Sequence, residues 1–150
     1  MITRRQSREF ALQILYQMEF NKNLYKLSYI QNKKNIKTYI ENFFQNFQNI
    51  NSINAYTLNL IYGIYKNIKI LDNMLIKSSK KWKICRISII DKNIIRISIY
   101  ELLNFNDLNK KIIINEAIEI AKKFSSRKSY IFVNGILNNI ATTIKNHSEK

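Results

Sequence analysis

A chain of 150 residues with 46% hydrophobic content is large enough to bury a core and too apolar to remain disordered. Its 25 basic and 10 acidic residues leave a formal net charge of +15, which points to a polyanion partner, either nucleic acid or an anionic membrane surface. No apolar run approaches the roughly 18 residues of a membrane span, MITRRQSREF lacks the apolar segment of a signal peptide, and the single Cys85 cannot form an internal disulfide, so a reducing cytoplasm is expected.

With no proline and two glycines, the chain has little of the chemistry that tight hairpin turns favour. Its isoleucines suit strands intrinsically, but their spacing points to helices. A first helix is expected from just after Thr3 to about Phe20, with Phe10, Ala11, Ile14, Leu15 and Met18 on one face. Arg5, Arg8, Leu12 and Tyr16 fall within a ~80° sector beside that face, an exposed shoulder on which arginines lead to an aromatic ring. AT-rich codons account for part of the Ile, Asn and Lys excess, but less readily for arginine: three of six arginines, Arg4, Arg5 and Arg8, lie in the first eight residues. Cations at a helix start oppose the dipole, which favours a binding role over a merely solvated helix end.

Residues 21 to 34 read as a polar, lysine-rich loop with a helical turn. A second helix is marked by Ile36, Tyr39, Ile40, Phe43, Phe44, Phe47 and Ile50. Ser52 is a candidate cap for a third stretch carrying Ala55, Leu58, Ile61, Tyr62, Tyr65, Ile68, Leu71 and Leu75, long enough for two helices with a bend near Lys69. Ser78 to Lys83 is a break that Trp82 anchors. Asp91 reads as the N-cap of the next helix, with Ile90 and Ile95 as a hydrophobic staple and Ile94, Ile97, Tyr100 and Leu103 inside it, ending near Asn104. Residues 105 to 111 read as a loop.

Two further patterns form a helix hairpin. The first has Asn115 as its cap, Ala117, Ile120, Ala121 and Phe124 on its face, Glu116 and Glu119 near its start, and Lys122 and Lys123 near its end. After the break Ser125-Ser126-Arg127-Lys128-Ser129, the second carries Phe132, Val133, Ile136, Leu137, Ile140 and Ile144. The polar tail, residues 146 to 150, is expected to fray. The whole reads as an all-α bundle of six to seven helices forming one domain over residues 1–150.

Nothing in the chain assembles a reactive site. His147 is the only histidine, Cys85 has no histidine near it in sequence, and neither a phosphate-cradling glycine loop nor a cysteine–histidine metal spacing is present. Asp72, Asp91, Glu101 and Glu116 are scattered and read as caps or surface charges. No catalytic residue, metal or cofactor is expected. Glu101, in an apolar helix, either pairs with a cation or sits at a partner interface. Gly135, mid-helix, marks close helix packing, or else backbone approach by a ligand. Phe132 is a core aromatic or, with Arg127 and Lys128 just before it, a base-stacking platform.

In order and spacing, several of these pieces together resemble the NusB family of transcription antitermination factors. They are RRQSREFALQILYQMEF; Gly63; Ile70-Leu71-Asp72 with Leu75; Trp82 with Arg86, Asp91, Ile95-Arg96-Ile97 and Tyr100-Glu101-Leu102; Ile114-Asn115-Glu116-Ala117; Ala121-Lys122; and Phe132-Val133-Asn134-Gly135-Ile136-Leu137. Residues 21 to 52 carry no matching motif. The resemblance implies two small helical subdomains packed together and no catalysis. It implies binding of the boxA element of ribosomal RNA leader transcripts together with NusE, a small-subunit ribosomal protein, within an antitermination complex on RNA polymerase that reads through terminators and assists ribosomal RNA maturation.

Residue by residue, the resemblance places Arg4, Arg5 and Arg8 at basic RNA-binding positions. It places Tyr16 and Phe132 at aromatic positions that reach RNA, Lys128 on the same surface, and Glu101 in a partner-contact region. Gln6 departs from the family's frequently basic run, which removes one phosphate contact. Two other classes compete with this reading: a similar helical module appended to ribosomal RNA cytosine methyltransferases, for which this chain has no methyl-donor domain, and a pure protein adaptor whose charge is genomic drift. Without its partner, a homodimer is the alternative to a monomer.

Overall fold

Apolar residues spaced three and four apart, rather than two, decide the architecture despite the isoleucine content. The computed structural model describes residues 1–20, 29–47, 53–80 and 83–148; among them are seven α-helices, one 3-10 turn and no strand. The helices are α1 (Arg4–Phe20), α2 (Tyr29–Phe47), α3 (Ala55–Lys66), α4 (Ile68–Ser78), α5 (Ile89–Asn104), α6 (Lys110–Phe124) and α7 (Ser129–Ser148), with the 3-10 turn at Ile84–Arg86. The all-α expectation therefore holds. No described helix is long and apolar enough to cross a membrane. The chain divides into two compact units, Met1–Lys66 and Asn67–Lys150.

In the first unit, α1 starts where its sequence announces it, through a reciprocal capping box. The Thr3 Oγ1 accepts from the Gln6 N–H at 3.1 Å, and Gln6 Oε1 accepts from the Thr3 N–H at 2.8 Å. Gln6 thus has a structural task at the start of α1. α1 packs against α3, and Ala11, Ile14, Leu15, Met18, Leu60, Ile61 and Ile64 are fully buried. α2 adds Phe44, whose ring meets Phe10 edge-on at 5.2 Å, and Tyr39, whose hydroxyl donates to Gln17 Oε1 at 3.0 Å. Partial burial raises the Tyr39 pKa above its usual value, which favours the protonated donor.

Three local expectations for this region change. α2 begins at Tyr29, so the segment read as loop is helical from there on; Lys33, Lys34 and Asn35 are exposed and carry no apolar period to betray the helix. The cap of α3 is Asn54, whose Oδ1 accepts from the Thr57 N–H at 2.9 Å while its Nδ2 donates to Ser7 Oγ at 2.8 Å, tying the start of α3 to α1. Ser52 and Trp82 lie outside the described residues. The bend expected near Lys69 is a break at Asn67, between α3 and α4.

In the second unit, α5 packs against α4, α6 and α7, and every residue from Asn93 to Leu102 is buried. A helix covered on all sides is a core helix, and it must also satisfy its polar groups. Arg96 does so with a bidentate pair to Asp72, Nε to Oδ1 at 2.7 Å and Nη2 to Oδ2 at 2.8 Å, while Nη1 donates to Asn93 Oδ1 at 3.0 Å. Leu103, read as part of the apolar face, is instead exposed.

Two caps also move. α5 is capped by Ser88, whose hydroxyl accepts from the Asp91 N–H at 3.1 Å, so Asp91 and Ile90 lie inside the helix and the expected staple is lost. Asp91 Oδ1 instead accepts from the Ser125 hydroxyl at 2.5 Å, joining the start of α5 to the end of α6. α6 starts at Lys110 behind Asn109, whose Oδ1 accepts from the Lys111 N–H at 2.8 Å, leaving Asn115 inside the helix. The α6–α7 hairpin forms at the expected break, and α7 runs to Ser148, into the tail expected to fray.

Candidate nucleic-acid interface

The candidate residues fall into two groups, one in each unit. In the first, the capping box sets α1 so that Arg4 and Arg8, one turn apart, meet the same ring of α3. The guanidinium carbon of Arg4 lies 5.4 Å from the Tyr56 ring centroid and that of Arg8 lies 5.9 Å from it. Arg8 Nη2 also donates to the Tyr56 hydroxyl at 3.4 Å. Each cation–π contact contributes on the order of 0.5–1 kcal/mol at a solvated site.

The continuous exposed shoulder expected on α1 is only partly present. Arg4, Arg5 and Tyr16 are exposed, but Arg8 retains only 4% of its accessible surface and Leu12 is buried as well. Tyr16 pairs edge-on with exposed Phe20 at 5.1 Å, and twelve residues of helix put it about 18 Å along α1 from Arg4. The arginines and Tyr16 therefore occupy opposite ends of the helix. Tyr56 is the residue that sequence reading missed. It lies 48 positions beyond Arg8, and no local period connects the two.

In the second unit, Lys128 is exposed in the turn before α7 and Phe132 is half-buried in that helix's first turn. Both line an open pocket of about 460 Å³, together with Arg86, Ser88, Ser126 and Ser129. Phe132 also lines a groove of about 500 Å³ with Ser79, Lys80, Ile131 and Gly135. The ring thus lines both the pocket that holds Arg86 and Lys128 and the groove that holds Ile131 and Gly135.

Gly135 is exposed, and a Cβ built there meets nothing within 4 Å. Close helix packing is therefore not why glycine stands at this position. Glu101 is 1% exposed, so its carboxylate belongs to the interior of the unit and is not displayed to a partner in this conformation. Among the described residues, no group of histidine, cysteine and carboxylate side chains is placed to hold a metal.

Comparison with known proteins bears on this arrangement. The family model described as "NusB family" matches residues 5–142. A transcription antitermination protein NusB from Thermodesulfovibrio yellowstonii is 44% identical over 140 residues, covering 92% of this chain and 91% of the relative. The protein of the same description from Clostridium novyi is 37% identical over 139 residues, covering 93% and 98%. Among solved structures, T. maritima NusB superposes with a TM-score of 0.75 at 29% identity, covering 93% of this chain and 91% of that one. A crystal structure of antitermination factors NusB and NusE in complex with dsRNA superposes with a TM-score of 0.73 at 20% identity, covering 93% and 96%, a likeness of fold. With the family model spanning most of its length and relatives above 30% identity matched nearly end to end, this chain belongs to the NusB family.

Proposed function

We propose that this chain is a cytoplasmic RNA-binding antitermination factor, without catalytic activity, that binds the boxA element of ribosomal RNA leader transcripts together with a NusE-type ribosomal protein. In that role residues 1–150 act as one RNA-binding domain, and the complex supports read-through by RNA polymerase. Without the partner, the alternatives are a monomer and a homodimer. The observation that carries the reading is that basic and aromatic side chains share a surface in both units, Arg4 and Arg8 at the Tyr56 ring and Lys128 in one pocket with Phe132, on a chain of net charge +15. Cations neutralise backbone phosphates and aromatic faces stack on unpaired bases, and neither task requires a reactive group. A solved structure of the same fold holds NusB, NusE and dsRNA, which supports both partners.

In this reading Arg4, Arg5, Arg8 and Lys128 supply charge, and Tyr16 and Phe132 supply ring faces. The burial of Arg8 makes its part that of holding Tyr56 and Arg4 in place as much as meeting a phosphate. Glu101 belongs to the partner-contact region in this reading and lies buried within α5. Fluorescence anisotropy with boxA and scrambled RNA, with and without the NusE-type protein, tests the proposal. The expected result is tighter binding of boxA, tightened again by the partner, because two linked surfaces on one RNA raise the effective concentration. No RNA binding in the partner's presence rejects the reading.

A further inference from the structure

Tyr56 lies in the first turn of α3, and beside it the starts of α1 and α3 are tied together. Ser7, between Arg4 and Arg8 in sequence, is fully buried, and its hydroxyl accepts from Asn54 Nδ2 at 2.8 Å. The same Asn54 caps α3 through the Thr57 N–H and also accepts the Thr57 hydroxyl at 2.5 Å. Thr57 is fully buried as well, so the tie is anchored on both helices. It leaves the Tyr56 ring with Arg4 and Arg8 around it, their guanidinium carbons 5.4 and 5.9 Å from its centroid. Like charges one turn apart repel, and the start of a helix disfavours both. The negative face of the ring offsets that repulsion and leaves the two charges in place. A carboxylate at position 56 would suit the dipole of α3 and pair with the arginines, but it would cancel their charge. Stability alone therefore does not call for a neutral ring there.

We propose that Tyr56 is a positioning residue for RNA binding: its ring holds the Arg4 guanidinium, with Arg8 beside it, ordered and still charged for the backbone phosphates of unpaired RNA. The inference rests on the RNA-binding reading and adds to it a residue that acts through the arginines and touches no RNA itself. An arginine side chain has many rotamers, and freezing them on binding weakens affinity by about two- to tenfold per side chain. Contact with the ring before RNA arrives removes part of that loss. Arg4 is exposed and can reach a phosphate. Arg8, 4% exposed, adds charge at short range and steadies the ring through its bond to the Tyr56 hydroxyl. Ordering of this kind changes affinity but not the number of phosphates neutralised, which is what the salt dependence counts.

The test uses the full-length chain, a twelve-nucleotide unpaired RNA containing boxA, and fluorescence anisotropy at several salt concentrations. Tyr56→Leu, which removes the ring, is expected to weaken binding about fivefold with the salt slope unchanged. Arg4→Ala should instead flatten the slope by about 0.7, one phosphate contact on a single strand. Tyr56→Phe should keep most of the affinity. Tyr56→Glu, which holds the arginines but cancels their charge, should weaken binding more than Tyr56→Leu and flatten the slope. In a chain already carrying Arg4→Ala and Arg8→Ala, Tyr56→Leu should have no further effect, since the ring then has nothing to hold. Urea unfolding identifies a variant that fails to fold. If Tyr56→Leu fails, replacing Tyr56 by pentafluorophenylalanine keeps the shape, reverses the attraction of the ring for cations and carries the same expected loss. If removing that attraction leaves RNA affinity equal to that of the unsubstituted chain, the ring positions nothing and the RNA-binding reading stands. A loss that persists without Arg4 and Arg8 means that Tyr56 meets RNA itself or serves only the fold, and the positioning role is likewise rejected. Failure of the unsubstituted chain to bind, with the NusE-type partner present, overturns both.

Discussion

Arg4 and Arg8 of the first unit lie against a tyrosine ring, whereas Arg86 and Lys128 of the second border an open pocket with no ion pair among the described residues. In the first unit the ring narrows the motion of two guanidinium groups and takes one of them out of solvent. Charge there is bound up with the packing of α1 on α3. In the second unit the exposed cations sit on turns, and the interior has a basic group of its own: Arg96, held by Asp72 and Asn93. If the exposed cations bind RNA as proposed, binding charge and structural charge are separate residues in the second unit and overlap at Arg8 in the first. Substitutions should therefore divide differently between stability and RNA affinity in the two units.

The largest effect is expected at Arg96. Truncation to Ala leaves Asp72 and Asn93 without their partner beside a buried helix, a loss on the order of 3 kcal/mol. Asp72 keeps part of its surface in water, which moderates the cost. Urea unfolding should show a lowered midpoint with an unchanged slope. An equal midpoint would mean that the pair contributes nothing net, and the division between structural and binding cations in this unit would fail.

Arg8→Ala should come next, costing about 1–2 kcal/mol from the lost bond to Tyr56 and the lost packing of its stem. Unlike Arg96→Ala, it should also weaken RNA binding in a folded protein, because Arg4 loses its neighbour on the ring. Tyr56→Phe keeps the ring and should keep most of that binding. A stability loss with intact RNA affinity would place Arg8 with Arg96 as purely structural. The exposed pair offers the converse. Arg4→Ala with Arg5→Ala should lower the unfolding midpoint only slightly, by the loss of one exposed cation–π contact, while lowering affinity for boxA and scrambled RNA together, by about tenfold at low salt, with a salt dependence flatter by about 1.4. Loss on boxA alone would show that these side chains read bases.

These contrasts also explain what was legible beforehand. Helix period shows in sequence because burial on one face repeats every three to four residues, which set the extent of α1 and the α6–α7 break. It fails where both faces are alike. α5 is buried all round, so no polar face marked its depth and Glu101 could be read equally as a paired charge or a partner contact, and the first turns of α2 are polar, so they read as loop. Caps were ambiguous because Ser88 and Asp91, or Asn109 and Asn115, are all competent residues only a few positions apart. Among the candidate site residues, exposure of Arg4, Arg5 and Lys128 followed from their local setting. The burial of Arg8 did not, since Tyr56 reaches it from another helix. The same holds for Arg86, which is brought to Lys128 only by folding.

The smallest effect is expected at Gly135, and it decides whether the groove beside Phe132 is used. A glycine inside a helix costs roughly 0.5–1 kcal/mol relative to alanine because the unfolded chain has more freedom to lose. Nothing in the folded chain requires that cost, since a Cβ at Gly135 meets no atom within 4 Å. Gly135→Ala should therefore raise stability by about that amount, measurable as a higher urea midpoint. The effect on RNA binding separates two accounts of the groove. If a base or ribose resting on Phe132 continues across α7, it must approach the backbone at Gly135, and the added methyl should weaken binding a few-fold in a more stable protein. If binding is confined to the basic pocket, affinity should be unchanged. A drop in stability would contradict the open space seen at this position. A stabilised protein with weakened RNA binding would extend the nucleic-acid surface of the second unit from Lys128, past Phe132, into the groove beyond.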